Sequence, residues 1–103
     1  MGRYSDNYQW LLQKFSTVMD KHQDLGRAVR KAGPIDAKNS QLIQLSAAAA
    51  IRAEGSVHSH VKRALDAGAT PDEIYHAIIL LTSTIGFPAV AAALSWAKDI
   101  IAE

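Results

Sequence analysis

Cysteine is absent from all 103 residues, so no disulfide, thiolate metal site or thiol nucleophile is available to this chain. Long apolar runs are also missing. No stretch approaches the ~20 residues that a membrane-spanning helix needs, and nothing after Met1-Gly2-Arg3-Tyr4 reads as the apolar core of a signal peptide. Gly2 is followed by Asp6 where a myristoylation motif places Ser or Thr. The expectation is a cytoplasmic protein with no membrane partner. Charge of one sign is scarce as well: the net charge is +1, which gives no general attraction to nucleic acid. Residues 1–34 carry six Lys/Arg against three Asp/Glu, an asymmetry that a solvated helix face accounts for. Proline occurs three times and glycine six times, and no segment alternates polar and apolar residues over a useful length. Strands are therefore not expected.

The residues that are present read as helix. Hydrophobic residues make up 49% and charged residues 20%, enough for one modest core in a single domain. The first stretch, Ser5 to Lys31, carries a seam at Leu11, Phe15, Val18, His22, Leu25 and Val29, with Trp10 and Met19 alongside. Gly33-Pro34 stops it. A second helix is expected from Asp36 as N-cap to Glu54, with Leu42, Ile43, Leu45 and the run Ala47–Ala50, ended by Gly55. A third, capped by Ser56, runs from Val57 to Ala67 and buries Val57, Val61, Ala64 and Leu65. Thr70-Pro71-Asp72-Glu73 is a complete capping box with Pro at N1, and it starts a fourth helix through Ile74, Ala77, Ile78, Leu81 and Ile85. Gly86-Phe87-Pro88 breaks the chain before a fifth helix with Val90, Leu94, Ala97 and Ile101. The fold class is all-α, with about five helices.

From Gly33 onward particular residues carry a likeness. Gly33-Pro34-Ile35-Asp36-Ala37-Lys38, Leu42-Ile43 and the alanines to Arg52, then His60-Val61-Lys62-Arg63-Ala64-Leu65, Gly68-Ala69-Thr70, Glu73-Ile74 and Gly86-Phe87-Pro88-Ala89, stand in the order and spacing of one family. The chain resembles the carboxymuconolactone decarboxylase family, which includes alkylhydroperoxidase-like members, over roughly residues 33–102. The resemblance implies a single domain over 1–103, with residues 1–32 as an N-terminal helix before a family core at 33–103. It also implies a homo-oligomer built from dimers, a trimer of dimers (hexamer) among the family's forms. Apolar residues on several helix faces, above all Val90–Leu94 and the first seam, point the same way.

Alkylhydroperoxidase-type members carry a Cys-x-x-Cys pair, a histidine four residues after the second cysteine, and a relay glutamate about three turns before the first. On this chain those places fall on Ala53, Ser56, His60 and Gln41, so only the histidine remains. A thiolate forms best at a helix N-terminus with a base nearby. The hydroxyl of Ser56 cannot cycle through a disulfide, and Gln41 cannot titrate. Thiol peroxidase and disulfide reductase chemistry are excluded for this polypeptide.

His60 is the candidate general acid/base, expected half-buried in a small pocket lined by the second helix, with Ser56 on the same face one turn away. Arg52, Glu54 and Gln41 are the candidate substrate-binding residues. Arg52 or Lys38 would meet a carboxylate, and Glu54 or Arg52 would stand in for the missing relay acid. His22 is expected as a core or interface histidine, with a place over the His60 pocket as the sharper alternative. His58, about 200° around a helix from His60, is expected to face solvent or a partner. No acid stands four residues from His60, so neither a metal site nor a cofactor is expected.

Three readings of function remain open at the level of sequence. The first is a lyase acting on a small organic acid through His60, like the decarboxylase branch. The second is a non-catalytic oligomeric binding module on the same scaffold. The third is a Cys-less variant of an alkylhydroperoxidase-like protein, although removal of thiols would not by itself require Gln at position 41.

Overall fold

A computed structural model describes residues 2–101. Among these residues it holds seven helices and no strand: α1 (Gly2–Lys14), α2 (Ser16–Lys31), α3 (Ala37–Ala50), α4 (Glu54–Asp66), α5 (Pro71–Ile79), the single turn α6 (Thr82–Ile85) and α7 (Phe87–Ile100). The all-α expectation holds. None of these helices is long and apolar enough to cross a membrane. The chain divides between Ile35 and Asp36 into two compact units.

In the first unit the expected single helix is two. Phe15 has φ −124° and ψ 51°, outside the helical region, and separates α1 from α2. The Gln23 side-chain amide donates to the Tyr8 hydroxyl at 3.0 Å. Residues fifteen apart in one straight helix would be about 22 Å distant, so this bond requires the chain to turn back at Phe15. The Phe15 ring packs edge-on against Trp10, with centroids 5.8 Å apart. Seam residues Leu11, Val18, Met19 and His22, with Asn7 and Tyr8, line an apolar groove of about 350 Å³. No residue of α2 is buried, and Val18, Leu25 and Val29 are exposed. His22 is exposed too, so it is not a core histidine within this unit.

The second unit holds the core. Leu45, Ala48 and Ala49 of α3 meet Val57, Val61 and Ala64 of α4, Ile74 and Ile78 of α5, and Val90, Ala93 and Ala97 of α7. Small residues of α3 and α7 and the β-branched and leucine side chains join in this one cluster. Along α3, Leu45, Ala48 and Ala49 take the core face, and Ile43 is exposed.

Helix ends set the register. The Asp36 carboxylate accepts from the Asn39 backbone N–H at 2.8 Å, capping α3 as expected. The end of α3 departs from expectation. It stops at Ile51 rather than near Gly55, because the Arg52 N–H donates to Ala49 O (3.1 Å) and the Ala53 N–H to Ala48 O (3.0 Å). This is a Schellman closure with Arg52 in the left-handed position, φ 56°. The end of α4 repeats it with glycine: Gly68, φ 100°, donates to Leu65 O, and Ala69 to Ala64 O. The capping box at Thr70 forms in full, with Glu73 N–H donating to Thr70 Oγ1 at 3.1 Å and Thr70 N–H to Glu73 Oε1 at 2.9 Å. The helix it starts ends at Ile79, so the apolar pattern to Ile85 is shared between α5 and α6. Gly86, at φ 90° and ψ 152°, in a region that only glycine occupies without strain, turns the chain into α7.

Candidate functional site

The short connection Ile51-Arg52-Ala53 fixes what α3 and α4 place opposite each other. Gln41, in the second turn of α3, is 7% exposed. His60, in the second turn of α4, is half-buried. Their side chains meet across the helix pair, His60 Nδ1 to Gln41 Oε1 at 2.8 Å. An amide oxygen only accepts, so Nδ1 carries the hydrogen and Nε2 is the basic nitrogen of the neutral ring. The bond persists when Nε2 takes up a proton, since Nδ1–H donates in both states.

The remaining sequence candidates divide. Because α4 starts at Glu54 with Ala53 as its N-cap, Ser56 does not cap the helix; it lies exposed in the first turn, one turn before His60. Arg52 is exposed in the turn. Lys38 is engaged elsewhere: its Nζ bonds Glu73 Oε2 at 2.9 Å and ties α3 to α5. That hydrogen bond, reinforced by the Glu73 charge, holds the Lys38 ammonium above its usual range. The Thr70 backbone N–H, followed by Lys38, holds the Glu73 carboxyl below its own. A lysine so paired is a poor carboxylate receptor.

Glu54 and His58 turn away from the expected arrangement. His58 is not in solvent; it is 6% exposed, with Nε2 3.0 Å from Asp99 Oδ2 on α7 and 3.9 Å from Glu54 Oε2. Glu54 therefore lies beside His58, which does not suit it as a replacement relay acid for His60. An acid stands four residues before His58, not four from His60, and Glu54-x-x-x-His58 is the sequence signal for this pair. Asp99, forty-one residues further on, had none.

The model of the carboxymuconolactone decarboxylase family matches residues 17–99, which is well over half of the chain. The chain belongs to this family. The match starts within α2, earlier than the likeness at Gly33, and ends at Asp99. No individually curated protein matches. Family membership accounts for the scaffold, and this member carries no cysteine.

Proposed function

We propose that this protein is an acid–base catalyst of the decarboxylase type, acting on a small organic acid with His60 as the proton carrier. The observation that carries the reading is the 2.8 Å bond from His60 Nδ1–H to the buried Gln41 amide. It fixes the tautomer and the ring orientation, which makes Nε2 the nitrogen that would carry the proton. A neutral acceptor also suits cycling: unlike a carboxylate, it does not hold the ring as imidazolium. In decarboxylation the bond to the carboxylate carbon breaks, CO₂ leaves, and the electron pair stays on the substrate as an enolate. His60, once its Nε2 has taken a proton from water, gives that proton to the carbon alpha to the carbonyl and returns to the neutral ring. Arg52 is the proposed receptor for the substrate carboxylate and Ser56 a hydrogen-bond donor beside it, both in or next to the turn that leads into the His60 helix.

The test is CO₂ release from a panel of carboxylated lactones and β-keto acids, with ring NMR of His60 read in parallel. Enzyme-dependent release, accompanied by a substrate-induced shift of the His60 signals, is the expected result. Silence in both readouts across the panel overturns the proposal. In the same preparation, peroxide consumption with a dithiol reductant stays at blank level, because a chain without cysteine has no group to oxidise and regenerate.

The protein is also proposed to act as a homo-oligomer. Phe15, Leu25, Val29, Ile43, Ile51, Leu80 and Phe87 are all exposed, more large apolar side chains than an isolated chain of this size leaves in water without reason. Light scattering at micromolar concentration is expected to give a mass several times 11.1 kDa. A monomer that persists at all concentrations refutes it.

A further inference from the structure

We propose that Glu54, His58 and Asp99 form a binding site for a divalent transition-metal ion, zinc foremost, held by His58 Nε2 and one oxygen of each carboxylate. One donor atom from each residue lies within 4.8 Å of the others. Donors about 2.1 Å from a shared ion stand about 3.0–3.4 Å apart at octahedral or tetrahedral angles. The His58–Asp99 separation of 3.0 Å already meets this. The 3.9 Å from His58 to Glu54 closes with a rotamer change of a side chain that is 57% exposed.

The three residues have the division of labour that a metal site needs. The imidazole is buried, so its direction is set by packing. Glu54 and His58 stand four apart on α4 and therefore share a face. Asp99 comes from the last turn of α7, so the complete set exists only when α4 and α7 are packed. Both acids reach solvent, which gives the ion a path in and leaves water for its remaining positions. Two carboxylates and a neutral imidazole match a dication in charge, and one nitrogen with two oxygens suits zinc better than magnesium. A simple ion pair needs one acid beside the ring; here two converge on it. Without metal, the Nε2–H of His58 donates to Asp99; a metal ion takes the Nε2 lone pair, so the ring's one hydrogen moves to Nδ1 and the ligand stays a neutral imidazole. His58 lies about 200° around α4 from His60, so this site is separate from the His60–Gln41 pair and does not rest on the proposed catalysis.

The experiment is calorimetric titration of the metal-stripped full chain with zinc chloride, then with manganese and magnesium chlorides. One zinc per chain is expected, with weaker manganese binding and none resolved for magnesium. Glu54→Gln and Asp99→Asn alter exposed side chains, so the fold is preserved, and each is expected to weaken zinc binding at least tenfold. His76→Gln, an exposed histidine of α5, leaves binding unchanged. Zinc is also expected to raise the melting temperature of the parent chain and not that of Asp99→Asn. Zinc binding that survives both acid substitutions, or the absence of saturable binding at one per chain, overturns the proposal.

Discussion

Replacing His60 by alanine is expected to lower decarboxylase turnover by roughly 10²–10⁴-fold, the range for removal of a positioned general acid/base. The loss should fall on kcat more than on KM, because the proton moves in the transition state and contributes little to holding the substrate. Helicity should be retained, since His60 is only half-buried and lies outside the apolar core. A smaller structural cost does follow: the buried Gln41 oxygen loses its donor, worth about 1–3 kcal/mol. Gln41→Leu separates the two effects. It keeps the volume near His60 but removes the acceptor that orients the ring, so turnover falls by less than in His60→Ala while the apolar contacts survive. Circular dichroism alongside turnover provides the check, and His60→Ala activity within about threefold of the parent would end the acid–base role.

The second large effect is on stability. Leu45→Ala is expected to destabilise the chain by about 2–5 kcal/mol, because Leu45 is fully buried among α3, α4, α5 and α7 and its removal leaves a cavity that backbone movement cannot close. Domains of this size have about 5–15 kcal/mol in total, so the midpoint of denaturant unfolding at fixed protein concentration should drop markedly. Lys62→Ala makes the comparison. Its ion pair with Asp66 spans 3.6 Å between side chains about two-thirds exposed, and an exposed pair contributes about 0–1 kcal/mol. Equal effects of the two substitutions would mean that the core is not where the structure places it.

Legibility in the sequence followed the chemistry of each signal. Thr70-Pro71-Asp72-Glu73 states its conformation in residue types, and the capping box is there in full. Gly68 and Arg52 make the same Schellman closure, yet only the glycine could be read. Arginine has no preference for the left-handed region, so at Arg52 the surrounding packing overrides the local residue, and the end of α3 shifts from Gly55 to Ile51. The break at Phe15 carries neither Gly nor Pro and rests on contacts between residues fifteen apart, Tyr8 and Gln23 among them. Gln41 reads in the sequence as a substrate-binding candidate; that it is buried and bonded to His60 depends on how α3 and α4 pair, which residue types alone do not state. His58 was misjudged because the angle around one helix does not reveal which other helix covers that face. Here α7 covers it, bringing Asp99 to the ring.

The three-residue connection between α3 and α4 also has a kinetic meaning. Closing so short a loop costs little chain entropy, so the Leu45–Val57–Val61 layer can form while the rest of the chain is still searching. The contact from His58 to Asp99 spans forty-one residues and must wait for α5, α6 and the Gly86 turn to bring α7 home. Order of assembly thus separates the two histidines of α4: the partner of His60 arrives with the first hairpin, and the partner of His58 arrives only at the end of folding.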